Sequence, residues 1–379
     1  LAPEGPIGGD ENTPPPAAPR ERAEGERRPQ SANRGRRGNR GTGAQIANAY
    51  FVSDQQAWAV GSSGHIYHTA DGGETWERQL GEQLDNFRDV LFFSSAQGWI
   101  AGDNGLLLET QDGGKTWASL KSSTNQDLIG VHFVSLEPKW GWAMRRDGTV
   151  LYTTDGSKWS AGNTPLRPPL LEDEPPMPFT MKDVAFGKFS EGWAVGSDGQ
   201  IIHNQDGGPI WTPQRTSTGK DLTSVEMKFV PLGWAVGHSG IVQRTINGGE
   251  YWKYHETGTG YDLHAVSFIT NRKGWAVGRY GMVLRTTDGG FTWEAESSGV
   301  TKDLYGILAL SDGAVYAVGA EGTIIHSVDG GVTWKLQHTD IDNDLYAIVR
   351  AKDDDTLWVV GQWGVVLRRK MGPVEMSMR

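Results

Sequence analysis

One eight-residue phrase, T-x-D-G-G-x-T-W with small variations, occurs seven times in this chain and governs what it can fold into. Its closing Trp recurs at Trp76, Trp117, Trp159, Trp211, Trp252, Trp293 and Trp334, at intervals of 41, 42, 52, 41, 41 and 41 residues. A period of that length belongs to repeat architectures in which each unit completes its core only against the next. A second aromatic series runs ahead of the first at Trp58, Trp99, Trp142, Trp193, Trp234, Trp275 and Trp358, with Tyr316 standing in the seventh unit. The two series absorb 14 of the 16 tryptophans and leave Trp140 and Trp363 outside.

Each unit reads as short apolar stretches punctuated by Gly: an opening strand, a GWAVG phrase, a turn, a second short strand, the box and a last strand. Short strands rich in β-branched and aromatic residues, four to a unit, are the content of a propeller blade and leave no room for helices. In the sixth unit the pattern predicts strand A from Leu263 to Ile269, B from Gly274 to Val277, C from Met282 to Arg285 and D from near Thr292, the box being the C–D turn. Openings of this kind start near Ile46, Phe87, Leu128, Met181, Leu222, Leu263, Leu304 and Leu345. The expected fold is therefore all-β, a β-propeller of four-stranded antiparallel blades, eight in number, with seven as the alternative. The eighth unit ends where its box should begin, and the tail KMGPVEMSMR is the candidate for its missing outer strand.

The propeller is expected to occupy residues 45–379 as a single domain. Residues 1–44 carry Pro, Gly, Arg and Glu with almost no large apolar side chain, so burial cannot offset the entropy of ordering them. They read as a disordered arm that is either a passive linker or processing remnant or, through Arg27, Arg28, Arg34, Arg36, Arg37 and Arg40, a docking arm for a partner, with nucleic-acid contact as the third reading. The third unit is irregular: it has W-A-M-R-R in place of W-A-V-G, a shortened box TTDGSKW, and a Pro-rich acidic insertion at 161–179. That insertion reads either as a solvated loop or as a partner-binding lip.

Composition narrows the chemistry. With no Cys, thiol nucleophiles, disulfides and Cys-ligated metals drop out. A net charge of -10 argues against binding duplex nucleic acid over the whole surface. No stretch reaches the roughly 18 apolar residues of a membrane-spanning helix. The nine His are too dispersed for a metal-site motif, and no metal or cofactor is expected.

The box acids Asp71, Asp112, Asp155, Asp206, Asp288 and Asp329, with Asn247 as the one amide, can accept N–H groups of their own turn. The box Trp buries a large ring. Seven copies at equivalent sites point to scaffold, because one active site has no use for seven acids. Asp127, Asp221, Asp262, Asp303 and Asp344, each just before a strand A, likewise read as a repeated turn contact.

This phrase is the Asp-box, or bacterial-neuraminidase, repeat. The full unit GWAVG-x-x-G-x-I-x-x-T-x-D-G-G-x-T-W resembles the photosystem II assembly and stability factor family, called Ycf48 in cyanobacteria and HCF136 in plants, over nearly all of residues 45–369. The resemblance implies a seven-bladed propeller in the thylakoid lumen that assists reaction-centre assembly through protein contacts and carries an arginine-rich patch. By that implication the partner is a membrane protein complex or its assembly intermediate, and the location is extracytoplasmic, periplasm or thylakoid lumen, peripheral to the membrane. Eight openings and the Arg- and Pro-rich arm depart from the family's pattern.

Two sets of residues are the candidates for partner binding. The B–C turns share a rim with the D-to-A links, opposite the boxes, and there Arg145 and Arg146, Arg279 and Tyr280, and Trp363 break a series of small polar residues. On strand C, just before the box, Arg244, Arg285 and Arg368 occupy equivalent positions. The nearest counterpart of the family's arginine patch is the pair Arg244 and Arg285 on adjacent blades. The reading is thus a noncatalytic protein-binding scaffold. The alternative is a carbohydrate-processing enzyme, sialidase-like or another glycosidase, with two carboxylates facing each other in the central funnel.

Overall fold

The computed structural model describes residues 46–370 apart from position 54 and segments 80–84, 137–138, 163–179, 188–190, 351–355 and 363–364. The N-terminal arm, nearly all of the insertion, the tail proposed as an outer strand and Trp363 lie outside the described residues. Within them the chain forms eight antiparallel sheets in sequence order, seven of four strands and the last of three. All eight A strands begin at the residues the openings marked: Ile46, Phe87, Leu128, Met181, Leu222, Leu263, Leu304 and Leu345. In blade 6 the strands are Leu263–Phe268, Gly274–Gly278, Val283–Thr286 and Glu294–Glu296, close to the expected bounds. No helix among the described residues is long and apolar enough to cross a membrane.

Burial follows radius. The A strands of blades 1 to 3, and those of blades 4 to 8, lie side by side, which makes A the inner strand. The B strands Ala57–Gly61, Gly98–Gly102, Gly192–Gly196 and Gly274–Gly278 are buried along their whole length. Covered on both faces by neighbouring blades, they read as unbroken apolar runs rather than alternations. The D strands Glu77–Gln79, Ala118–Leu120 and Lys253–His255 are largely exposed at the perimeter.

The two tryptophan series meet at the blade junctions. The strand-B indole of one blade stacks on a strand-A Phe of the next, with centroids 3.7 Å apart for Trp58 on Phe92, 4.1 Å for Trp99 on Phe133 and 3.6 Å for Trp234 on Phe268. The box Trp of that next blade closes the other side edge-on, at 6.0 Å for Trp117, 5.8 Å for Trp159 and 5.9 Å for Trp293. Offset and edge-to-face contacts of this kind add to the burial of large rings.

At five junctions a hydrogen bond fixes the direction. The strand-B indole N–H donates to the first box Gly of the following blade: Trp58 to the Gly113 carbonyl at 3.3 Å, Trp193 to Gly248 at 2.9 Å, Trp234 to Gly289 at 2.8 Å and Trp275 to Gly330 at 3.2 Å. Trp142 reaches the second Gly of the altered box in blade 4, Gly208, at 3.2 Å. Two of the three exceptions follow from the sequence; at the third, Trp358 faces the regular box of blade 1 but its N–H has no acceptor among the described residues, and Arg368 donates to the Gly72 carbonyl instead. Trp99 precedes the shortened box of blade 3, and its N–H finds no acceptor among the described residues. Tyr316 precedes blade 8, the unit without a box, so the one missing indole and the one missing box belong to the same junction.

Closure of the ring decides between eight blades and seven. Trp358 of blade 8 stacks on Phe51 of blade 1 at 4.6 Å, and Arg368 donates to the Gly72 carbonyl in the first box at 2.6 Å. Blade 1 draws its four strands from one continuous stretch, Ile46–Phe51, Ala57–Gly61, Ile66–Thr69 and Glu77–Gln79.

Candidate partner-binding rim

The boxes build turns. In blade 1 the Asp71 carboxylate accepts from the Thr75 N–H at 2.9 Å, the Thr75 hydroxyl at 2.6 Å and the Thr69 hydroxyl at 2.8 Å, while Thr69 Oγ1 accepts from the Gly73 N–H at 2.7 Å. Blades 2, 6 and 7 repeat this set through Asp112, Asp288 and Asp329. The Thr75 hydrogen bonds hold the Asp71 carboxyl at about 2, and the equivalent bonds from Thr116 do the same for Asp112. Asn247 accepts through its amide oxygen, at 2.8 Å from the Thr245 hydroxyl, because the turn needs an acceptor more than a charge. Asp155 accepts the N–H groups of Ser157 and Lys158, and Asp206 that of Gly208.

The opposite rim is built from the B–C turns. Their second residue takes a left-handed conformation, as at Ser63, Asn104, Asp198, Ser239, Tyr280 and Glu321, with φ between 52° and 58°. The N–H of that residue donates to the side chain that opens the next strand A: Asn104 to Asp127 at 3.2 Å, Asp198 to Asp221 at 2.9 Å, Ser239 to Asp262 at 2.8 Å, Tyr280 to Asp303 at 2.8 Å and Glu321 to Asp344 at 3.1 Å. The recurring acid before each opening Leu is thus the repeated turn contact that its placement suggested. It ties every such turn to the following blade.

The candidate residues fall at separate places on this frame. Arg145 pairs with Leu128 in the A–B ladder, the place Gly61 holds against Ile46 in blade 1, so the turn proper begins with Arg146. Arg145 forms an ion pair with Asp147, and Arg146 is exposed. Arg279 lies over the Tyr280 ring at 5.0 Å and 3.9 Å from the Asp262 carboxylate, three blades further round. The strand-C arginines have internal partners. Arg244 lies 4.1 Å from the exposed Phe291 ring, Arg285 is paired with Glu296 at 2.6 Å and Glu294 at 3.0 Å, and Arg368 makes the closing bond to Gly72. Burial lowers the Arg244 pKa, with Asp288 opposing it.

Three acids escaped the sequence reading. Asp89 Oδ2 accepts the Val131 N–H of the next blade at 2.8 Å, Asp183 Oδ2 that of Val225 at 2.9 Å, and Glu226 Oε2 that of Phe268 at 2.7 Å. Burial pushes Asp89 and Asp183 up to about 6 and Glu226 up to about 7, against the pull of these hydrogen bonds and, for Glu226, of Lys228. They are clamps between inner strands. A fold that raises a carboxyl's pKa binds the proton more tightly than the unfolded chain, so this contribution is present at low pH and is lost as pH climbs from the ordinary carboxylate range to about 7. Glu226→Gln keeps an acceptor for the Phe268 N–H without the charge. Melting at pH 5 and pH 8 is expected to favour the variant over wild type by about 2–4 °C more at pH 8. A difference that ignores pH would remove the burial argument.

The family model for the photosynthesis system II assembly factor YCF48 matches residues 30–108, 82–175 and 173–257. The photosystem II assembly protein Ycf48 of Synechococcus sp. (strain JA-3-3Ab) is 25% identical over 155 residues, 40% of this chain and 43% of that protein. The match therefore spans less than half the length of that curated relative. A solved structure of YCF48 bound to D1 peptide superposes with a TM-score of 0.57 at 20% identity, covering 87% of this chain and 93% of that one. The computationally designed Ika8 protein superposes with a TM-score of 0.68 at 14% identity, covering 88% and 98%. At such identities these two likenesses establish the propeller fold alone. The family matches together run over residues 30–257, more than half of the sequence, and the chain belongs to the Ycf48 family of photosystem II assembly factors.

Proposed function

We propose that this chain is a noncatalytic protein-binding propeller that acts as an assembly factor or accessory subunit of a membrane protein complex, with photosystem II the first candidate. It works outside the cytoplasm, in the periplasm or thylakoid lumen, at the membrane periphery. Family membership is the observation that carries this reading. The frame supports it: a turn pinned to the neighbouring blade holds Arg279 on the rim, and Arg146 is exposed on the turn of blade 3. Scaffold-mounted turns are where binding residues gather. The arm at residues 1–44 is proposed as a second contact with the partner.

The glycosidase alternative needs carboxyls free to act on a sugar. The acids that burial raises, Asp89, Asp183 and Glu226, each hold a backbone N–H of the next blade, which favours a structural role.

Because a relative has been solved with a D1 peptide, such a peptide is the first ligand to try. Fluorescence anisotropy with a labelled D1 peptide is expected to give saturable binding to wild type, weakened about tenfold by Arg146→Glu with Arg279→Glu, as for loss of a few charge-assisted contacts. No binding would remove the photosystem assignment. Binding indifferent to both reversals would remove the rim.

A further inference from the structure

The same rim carries a run of aromatic rings that the arginine-bearing turns do not explain. The second residue of strand A is Ala47, Arg88, Ile129, Lys182 and Thr223 in blades 1 to 5, but His264, Tyr305 and Tyr346 in blades 6 to 8. These three rings follow one another across the blades, with centroids 5.6 Å apart for His264 and Tyr305 and 5.9 Å for Tyr305 and Tyr346. Beside them Tyr261, on the link into blade 6, meets Tyr280 edge-on at 5.3 Å. Tyr261, Tyr280 and Tyr346 stand 48%, 55% and 47% exposed, far more than rings serving a core.

Tyr280 is the most telling of them. Its φ is +57°, a conformation the other turns give to Ser63, Asn104, Asp198, Ser239 and Glu321. A bulky aromatic residue is strained there, and with its ring in solvent no burial offsets the strain.

The charge around the rings is acidic. Asp262, Asp303 and Asp344 each accept a turn N–H at Oδ1. Asp344 and Asp303 reinforce burial in raising the Tyr305 phenol, and Asp344 does so at Tyr346. Burial lowers the His264 pKa, Asp303 and Asp262 oppose it and His238 and Arg279 add to it, so the two groups of rings share one field. The chain already shows what such a face holds: the Arg279 guanidinium lies over the Tyr280 ring near the Asp262 carboxylate. Cations over tyrosine faces, flanked by carboxylates, gain from both attractions.

We propose that Tyr261, Tyr280, Tyr305 and Tyr346, with Asp303 and Asp344, form a docking face for a basic extended segment of a partner protein, its Arg or Lys side chains laid over the rings. This face is opposite in charge to the turn of Arg145 and Arg146, adjoins the proposed D1 contact at Arg279, and does not depend on the D1 reading.

The test is a titration of the full chain against a fluorescein-labelled peptide of alternating Gly and Arg, with a Gly/Glu peptide as the reverse-charge probe. The Gly/Arg peptide is expected to bind saturably and to weaken as salt is added. Tyr305→Ala with Tyr346→Ala is expected to lower affinity about tenfold, and the paired Phe variants to retain it, since the ring face supplies the attraction. Tyr280→Gly removes a ring and relieves its backbone, so Tm should rise while affinity falls several-fold. Arg146→Glu should leave binding of this probe no weaker. Equal binding of the Gly/Glu peptide, or affinity untouched in both Tyr305→Ala/Tyr346→Ala and Tyr280→Gly, would overturn the proposal.

Discussion

Trp234→Ala should cost the fold about 3–5 kcal/mol, the range for deleting a fully buried large aromatic ring. The indole is 0% exposed, stacks on Phe268 at 3.6 Å and donates to the Gly289 carbonyl at 2.8 Å, so its loss opens a hole between blades 5 and 6 and orphans an acceptor. The two contributions separate by comparison with Trp99, which stacks on Phe133 in the same way but whose N–H has no acceptor among the described residues. Trp234→Phe loses volume and a hydrogen bond, whereas Trp99→Phe loses volume alone. Chemical denaturation should show Trp234→Phe worse by about 1 kcal/mol. Equal costs would mean that the indole bonds contribute nothing to holding the blades together.

A second large effect is expected where the same contact is seen from the box. Gly330 and Gly331 both have left-handed backbones, with φ of +77° and +83°. A Cβ on Gly330 would meet nothing within 4 Å, but one on Gly331 would stand 2.0 Å from Trp275 Nε1 and 2.7 Å from its Cδ1. Alanine at either position pays for the left-handed conformation, about 1–2 kcal/mol. At Gly331 it must also displace a ring that is 1% exposed and has no room to retreat, which adds about 1–3 kcal/mol of overpacking. Gly331→Ala is therefore expected to lower the unfolding free energy by about 3 kcal/mol and Gly330→Ala by about half of that or less. Similar melts for the two variants would place the Trp275 ring away from the box.

Much of this frame was legible because it is written in residues with a single local use. A large apolar residue marked the start of every strand A, five of them after an Asp, GWAVG marked the strands buried on both faces, and the box marked the C–D turn. The eighth unit's lack of a box could be read from the sequence too. Its pairing with Tyr316 could not, because the partner of a strand-B Trp lies some 55 residues on, beyond any local pattern. Arg145 belongs to the strand and not to the turn: W-A-M-R-R lacks the Gly that elsewhere separates the two, and the ladder puts Arg145 in that Gly's place. Arg244 and Arg285 share a strand position but not a role, since cross-strand register sets Arg285 opposite Glu294 while Arg244 extends to Phe291 of the next blade. Tyr305 and Tyr346 stood in plain sight in DLYGI and DLYAI. Only the ring geometry shows that they continue one another.

The forward reach of each strand-B indole has a consequence for how such a ring could change its size. Dependence runs one way round the circle, from a Trp to the box that follows. A tandem copy of a regular unit placed among blades 4 to 7 would bring its own donor and its own acceptor, and every existing pair would survive the insertion. Between blades 7 and 8 the same copy would hand its box to Tyr316, which packs against blade 8, and turn its own Trp toward the unit that has no box. Addition of a blade is therefore expected to cost least within the regular run and to be penalised where Tyr316 meets the unit without a box.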